Sequence, residues 1–257
     1  MEKVAAVRYY KSEGLVLGHH DLRDADRLVT VLTPEEGKVG AVAKGARRPR
    51  SKLAASVQPL TQACFMFYRG RSLDTITQAE VVNSFRPLRR DLDRLTHAAY
   101  AAELAGEVAR ERDPASELYR LLVATWEALA SADLGDLEVI TRRFELGLLQ
   151  VAGYCPTLDG CSGCGKRLGP FLFSPEAGGL VCPACMGVQK GIEVDEGTIA
   201  SMKAMLRLPP GRVRVLKLGE VSSRHIGRCL EACIVYRLER RPRSLAALAE
   251  LRRLRGK

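Results

Sequence analysis

Four cysteines in the second half of the chain have the spacing of a metal site. Cys161 and Cys164 form one C-x2-C pair, and Cys182 and Cys185 form a second pair after an interval of 17 residues. Each pair places two thiolates on one side of a tight turn, and two such turns complete a tetrahedron around a zinc ion. Because four protein ligands leave no open coordination position, the pattern predicts one structural Zn²⁺ per chain. The alternatives are four unligated buried thiols, or disulfides between the two turns.

The other four of the eight cysteines are left out of this site. Cys155 lies six residues before Cys161 and could replace a ligand, but it has no paired cysteine beside it. Cys64 falls in a predicted strand, and Cys229 and Cys233 are four residues apart on a predicted helix. Such cysteines are usually small, buried apolar groups.

A second cluster of residue types suits the binding of phosphate. Residues 38–52 contain six cations and no acid, and two more arginines occupy a later turn. Cations held in a row on an exposed edge are the groups that contact a nucleic-acid backbone. The predicted DNA-binding residues are Lys38, Lys44, Arg47, Arg48, Arg50, Lys52, Arg69 and Arg71. The alternative is a solvated, mobile loop.

Aromatic side chains, on which bases stack, are few in the same half of the chain. Phe65 and Phe67 share one face of a predicted strand, so we expect both in a core. Tyr68 points to the opposite face and is a weak stacking candidate. The composition therefore does not indicate sequence-specific readout of bases.

Catalytic motifs are absent from the sequence. It has no phosphate-binding G-x-x-x-x-G-K-[ST] loop, no HExxH and no zinc-deaminase pattern. Asp21, Asp24 and Asp26 could form a carboxylate metal site, but they alternate with Arg23 and Arg27, which is more typical of a salt-bridged surface. We expect that the protein is not an enzyme.

Charge and hydropathy limit the classes of partner. The 257 residues carry a net charge of +10, distributed as +4, −5 and +11 over residues 1–80, 81–202 and 203–257. An excess of positive charge favours a polyanionic partner, most often nucleic acid. No window approaches 18 consecutive apolar residues, so we expect no membrane span. The first eleven residues lack the apolar run of a signal peptide, so we expect a cytoplasmic protein.

Five short strands and several helices must position these residues. The strands are predicted at residues 7–17, 27–32, 38–43, 62–68 and 73–82, a hairpin spacing that fits a small barrel or sandwich. Helical periodicity predicts helices at residues 88–112, 116–129, 136–151, 195–206, 222–240 and 244–254. Residues 154–191, which hold the cysteine pairs, have no period.

Several segments together resemble the bacterial recombination mediator family RecO. They are EGLVL at 13–17, DADRLVTVLTP at 24–34, GK at 37–38, AKGARR at 43–48, QAEVV at 78–82 and GYCP at 153–156, the last placed before the cysteine pairs. The resemblance spans the chain at similar order and length. It departs from the family pattern at Cys155, where members often have no cysteine.

The resemblance implies an α+β multi-domain protein. Residues 1–82 would form a five-stranded OB-fold barrel, residues 83–153 and 192–257 an α-helical domain, and residues 154–191 an inserted zinc knuckle. It also implies a non-catalytic protein of the bacterial cytoplasm and nucleoid that binds single- and double-stranded DNA and anneals complementary strands.

The partners that the resemblance implies are RecR and the C-terminal tail of the single-stranded-DNA-binding protein, with which such proteins help load RecA. The arginine-rich helices at residues 222–255 are candidates for receiving that acidic tail. Two other functions stay open from the residues alone. One is a nuclease or nucleotide-modifying enzyme that uses the acids at 21–26, and the other is an RNA-binding zinc-ribbon protein.

Overall fold

A computed structural model of the chain describes residues 8–187 and 191–255. Val7, the first residue of the first predicted strand, lies outside these ranges, as do residues 188–190 of the predicted insertion and the last two residues of the chain. The described residues form two compact units that divide between Val123 and Ala124. The partition of the chain at residues 82/83, 153/154 and 191/192 stays a prediction.

The first unit contains a closed barrel of five strands. They are β1 (Tyr9–Asp21), β2 (Arg27–Thr33), β3 (Gly37–Ala43), β4 (Gln62–Tyr68) and β5 (Asp74–Asn83). Their order around the barrel is β1-β2-β3-β5-β4, with β3 and β5 parallel and the other neighbours antiparallel. Alternate residues of each strand fill the interior, because successive side chains point to opposite faces. Phe65 and Phe67 are both in this core, as predicted.

Strand β1 closes the barrel because it is long enough to pair with two neighbours. Residues 9–15 pair with β4 and residues 15–21 pair with β2, with a shift in register between Val16 and Gly18. At Gly14 a Cβ atom would lie 2.4 Å from Cγ1 of Val31. Glycine is therefore required there for the close approach of β1 to the core.

Helices α1 (Arg86–Arg90), α2 (Leu92–Val108) and α3 (Ser116–Ser131) follow the barrel. The single helix predicted over residues 88–112 is wrong, because Asp91 interrupts it with an extended backbone (φ −129°, ψ 129°). The Asp91 side chain accepts a hydrogen bond from the Arg94 amide at 2.9 Å and so caps a new helix. The sequence signal for this cap was the aspartate before the apolar run that starts α2.

The second unit is built around α4 (Leu137–Val151), which is buried on nearly all sides. Helices α6 (Glu196–Arg207) and α7 (Glu220–Leu238) pack against α4, and α8 (Ser244–Arg255) follows α7 in sequence. Among the described residues, no helix combines the length and the hydropathy that crossing a bilayer requires.

A small antiparallel sheet has two of its three strands in residues 154–191, for which the sequence showed no period, and its third strand directly after them. Its strands are β6 (Phe171–Ser174), β7 (Gly179–Val181) and β8 (Ile192–Val194) in the order β7-β6-β8, and the short helix α5 (Pro183–Met186) follows β7. Strands of three or four residues are too short for alternation to be recognised. The predicted class is confirmed: a five-stranded barrel precedes a helical region that carries the four-cysteine cluster.

Candidate nucleic-acid interface and metal centre

The two cysteine pairs come together beside the small sheet of the second unit. Cys161 and Cys164 lie in the turn before β6, and Cys182 follows β7 directly, with Cys185 inside α5. The four Sγ atoms all lie within 4.8 Å of one another, and those of Cys164 and Cys182 are 3.8 Å apart. A tetrahedron with Zn–S bonds near 2.3 Å has an S–S edge of about 3.8 Å. The four thiols can therefore hold one metal ion of this size.

Backbone groups fix the thiols in place. Gly165 has a positive φ of 74°, and its amide donates to the Cys161 carbonyl at 2.8 Å. The Cys182 amide donates to Cys161 Sγ at 3.3 Å. This bond, together with backbone hydrogen bonds from Cys164 and Gly163, lowers the pKa of Cys161 to about 6. Hydrogen bonds with the neighbouring thiols, that of Cys164 first, raise the pKa of Cys185 to about 12. A bound cation offsets such a rise, because it stabilises thiolates.

The remaining cysteines lie outside this cluster. Cys155 is exposed and is not among the four grouped thiols. Cys229 and Cys233 are buried on α7, and burial raises the pKa of each thiol to about 12. Neutral, buried thiols pack as small apolar groups, in agreement with the prediction for this pair.

The connection between β3 and β4, residues 44–61, carries most of the predicted DNA-binding cations. Its first turns are anchored to the β1–β2 turn: the Gly45 amide donates to Asp26 Oδ1 at 2.6 Å, and the Arg47 amide donates to the Ala25 carbonyl at 2.9 Å. Its last residues are held by Arg89, which donates to the Pro59 carbonyl at 3.0 Å. The segment between these anchors is thereby held on the barrel surface.

The cations of this connection differ in how they are engaged. Arg47 forms an ion pair with Asp21 at 3.3 Å and donates to the Leu22 carbonyl at 3.1 Å, so it ties two turns together. Four cations of this connection are exposed and form no ion pair with any described residue: Lys44, Arg48, Arg50 and Lys52. These four cations are available to an external anion.

Lys38 is placed apart from that group. Its Nζ donates to the Gly106 carbonyl of α2 at 2.9 Å, in a groove of about 560 Å³ between α2 and the outer face of β1, β2 and β3. Glu103, Glu107 and Glu111 also line this groove, and Lys38 is its one lysine or arginine among the described lining residues. The β2–β3 face, on which OB folds commonly bind oligonucleotides, therefore offers few cations to phosphate here.

The β4–β5 turn, residues 69–73, contains the last two predicted cations, which differ in their contacts. Arg69 pairs with Glu36 at 2.6 Å and lies over the ring of Tyr10, 4.6 Å from its centroid. Arg71 is exposed. Arg69 therefore has a structural partner, whereas Arg71 projects from the turn.

A buried carboxylate, Asp74, organises this turn. It accepts hydrogen bonds from the Tyr10 hydroxyl, from Arg112 at 2.7 Å and from the Gly70 amide at 3.0 Å. Burial alone would raise the pKa of Asp74, but these three hydrogen bonds outweigh it and lower the pKa below its ordinary value. Burial and the Asp74 contact raise the pKa of Tyr10, so its hydroxyl remains a donor. Sequence reasoning missed this cluster, because Asp74 is 38 and 64 residues away from Arg112 and Tyr10.

Two of the three acids of the β1–β2 turn, Asp21 and Asp26, have structural partners. Asp21 pairs with Arg27 at 3.0 Å and with Arg47, and these contacts, the Arg27 hydrogen bond first, lower its pKa. Asp26 accepts from the Gly45 amide. These contacts match the salt-bridged surface that the sequence indicated.

These features define a class of protein: an OB-fold barrel with exposed cations, followed by a helical unit with four grouped thiols that could hold a metal ion. The chain belongs to the RecO family. The family profile described as recombination protein O N terminal matches residues 7–85, and the profile described as recombination protein O C terminal matches residues 89–246.

Curated relatives agree over nearly the whole chain. The protein from Symbiobacterium thermophilum named DNA repair protein RecO is 39% identical over 251 residues, which are 96% of this chain and 99% of the relative. A protein of the same name from Pelotomaculum thermopropionicum is 36% identical over 244 residues, 94% of each chain. The one from Moorella thermoacetica is 36% identical over 248 residues, 94% of this chain and 91% of the relative.

Proposed function

We propose that this protein is a DNA repair and recombination mediator that binds single- and double-stranded DNA and anneals complementary strands. The observation that carries the proposal is the exposed group of Lys44, Arg48, Arg50 and Lys52 on an OB-fold barrel, in a chain whose relatives are named DNA repair protein RecO. Annealing requires that the charge of two strands is neutralised while their bases stay free to pair. Cations on an exposed connection supply the first condition without enclosing the bases.

The partners that we propose follow from the family. They are RecR and the acidic C-terminal tail of the single-stranded-DNA-binding protein, and the joint result is the loading of RecA in the bacterial cytoplasm and nucleoid. Arg224, Arg228 and Arg237 are exposed along α7 and supply positive charge for an acidic tail.

The metal that we propose for the four thiols is zinc, one ion per chain. An all-thiolate site with near-tetrahedral S–S spacing is typical of structural zinc. A bound zinc would cross-link the turn before β6 to the turn after β7 and would stabilise the small sheet. We also propose that the protein has no catalytic turnover, since two of the three acids that could serve an enzyme are engaged: Asp21 with Arg27 and Arg47, and Asp26 with the Gly45 amide.

The proposal is tested by DNA binding over a range of salt concentrations, followed by fluorescence anisotropy of a labelled oligonucleotide. Each phosphate contact contributes about 0.7 to the slope of log K against log salt for single strands. Substituting Arg48, Arg50 and Lys52 together by Ala should therefore lower the slope by about 2, and affinity should fall equally for all sequences. Arg120→Ala, an exposed arginine on α3, is the matched control and should change neither quantity.

Arg47→Ala serves a different purpose in the same series. Because Arg47 pairs with Asp21 and donates to the Leu22 carbonyl, its loss should lower thermal stability more than the loss of Arg48.

The wild-type protein should anneal complementary oligonucleotides without ATP. Unchanged slope in the triple variant, or ATP-dependent turnover by the purified protein, would contradict the proposal. Tighter binding to structured RNA without DNA annealing would favour the zinc-ribbon alternative, which the small sheet with two cysteine pairs resembles.

A further inference from the structure

A row of outward-facing residues crosses four neighbouring strands of the barrel, in the order β1, β4, β5 and β3. Tyr9 of β1 pairs with Tyr68 of β4, Tyr68 pairs with Thr75 of β5, and Thr75 pairs with Val42 of β3. Neighbouring strands are about 4.8 Å apart, so the row extends over about 14 Å. Lys44, the first cation of the β3–β4 connection, lies two residues beyond Val42. The row therefore leads from the exposed cations of that connection to the tyrosine pair.

The two tyrosines form an ordered, accessible surface. Tyr9 is 54% exposed, and its ring meets that of Tyr68 edge to face, with centroids 5.0 Å apart and planes at 66°. Arg8 donates to the Tyr68 hydroxyl at 3.1 Å and so restrains the ring. An aromatic ring held in place in this way can receive a base without a further loss of side-chain freedom.

The charge around the pair suits a nucleic-acid backbone. Arg8, Lys11 and Arg71 are exposed at this end of the sheet. Within β1, β4 and β5, the nearest carboxylates of the same face are Glu13 and Glu80, which lie in the row of Cys64, four residues from Tyr68 along β4. At about 3.3 Å per residue this separation is about 13 Å, so they do not border the tyrosines. Glu36, which contacts the β4–β5 turn, is paired with Arg69 at 2.6 Å.

We propose that Tyr9 and Tyr68 form a stacking platform for bases of single-stranded DNA, at the end of a path that begins at the exposed cations of residues 44–52. This inference rests on the proposed DNA-binding function and assigns the part of the surface that distinguishes single strands from duplexes. Bases in a duplex are stacked on one another, so their faces are not available to a side chain. One platform holds one or two bases and leaves the rest of the strand free to pair.

The test compares four variants that separate the effect of the aromatic ring from the effect of its hydroxyl. Tyr9→Leu and Tyr68→Leu remove a ring but keep apolar volume, whereas Tyr68→Phe keeps the ring and loses only the bond from Arg8. Tyr236→Leu is the matched control, because Tyr236 is 47% exposed and lies beside Arg237 in the second unit. Far-UV circular dichroism verifies that each variant is folded.

Loss of one ring should weaken binding to single strands about tenfold, because base–aromatic stacking is worth that order per base. Duplex affinity and the salt slope should stay as in the wild type, since no phosphate contact is removed. Tyr68→Phe should bind like the wild type. Photocrosslinking of a 5-bromouracil oligonucleotide, followed by mass spectrometry, should attach the base to the peptide that contains Tyr9 or Tyr68.

Unchanged single-strand affinity in both leucine variants, with crosslinks elsewhere, would overturn the platform. Equal losses for single strands and duplexes would also overturn it, because they indicate a disturbed barrel and not lost stacking. Neither result affects the proposed function, which is tested separately by the salt slope of the variant substituted at Arg48, Arg50 and Lys52. The two failures are therefore distinguishable.

Discussion

The buried carboxylate of Asp74 should be the most sensitive single position in the barrel. Asp74→Ala removes the acceptor for Arg112, for the Tyr10 hydroxyl and for the Gly70 amide at once. A hydrogen bond to a charged group contributes about 1.5–3 kcal/mol, and leaving buried donors without a partner costs about 1–3 kcal/mol more. Arg112 is 36% exposed and keeps Glu36 at 3.3 Å, so water stabilises its charge in the variant. The low end of each range therefore applies, and Asp74→Ala should lower the free energy of unfolding by about 2.5 kcal/mol in total.

The expected loss is measured by thermal unfolding and by hydrogen exchange. At about 2–4 °C per kcal/mol, the Tm should fall by about 5–10 °C. Hydrogen exchange should accelerate in β1, β4 and β5, which the Asp74 cluster joins. The fluorescence of Trp126 reports separately on unfolding of the second unit. Glu80→Ala, an exposed carboxylate on the same strand β5, is the control and should stay within about 0.5 kcal/mol of the wild type.

The pH dependence of stability gives a second check on the role of Asp74. The pKa of Asp74 is lowered in the folded protein from its ordinary value of 3.8, so the folded state binds this proton less readily than the unfolded chain. The contribution of ionised Asp74 to stability is complete above about pH 5 and is lost as the pH falls through 4 and below the pKa in the folded protein. The stability difference between the wild type and Asp74→Ala should therefore shrink in acid. A variant as stable as Glu80→Ala, or a difference that grows in acid, would refute the assignment.

Two further predictions concern the metal centre and the packing of glycine. Cys182→Ser should lower the metal content of the purified protein well below the one equivalent expected of the wild type, whereas Cys155→Ser should retain it, as inductively coupled plasma mass spectrometry would show. Full metal retention in the Cys182 variant would refute the ligand set. Gly37→Ala should destabilise the first unit by more than about 2 kcal/mol, because φ is +61° and a Cβ would lie 2.0 Å from the Asp113 carbonyl oxygen. Gly18→Ala, whose Cβ meets nothing within 4 Å, is the control, and equal urea midpoints for the two variants would contradict the expectation.

Local patterns in the sequence predicted the barrel strands and the four grouped thiols. Alternation bounded by turn residues placed β4 at its observed limits, and the paired spacing of Cys161 with Cys164 and of Cys182 with Cys185 identified the grouped thiols. Both patterns arise within a few residues or from ligand chemistry that fixes spacing, so they can be recognised without the fold. The prediction of one helix over residues 88–112 missed the break at Asp91, although an aspartate before an apolar run is a cap signal.

Only the tertiary structure decided which of the predicted cations are available. Arg47 and Arg69 look like Arg48 and Arg71 in the sequence, yet the first two are paired with Asp21 and Glu36 across turns. The Asp74 cluster and the tyrosine row were likewise decided there, because barrel closure brings together residues from strands and turns far apart in the chain. Such pairings depend on register and on loop closure over tens of residues, and no local period encodes them.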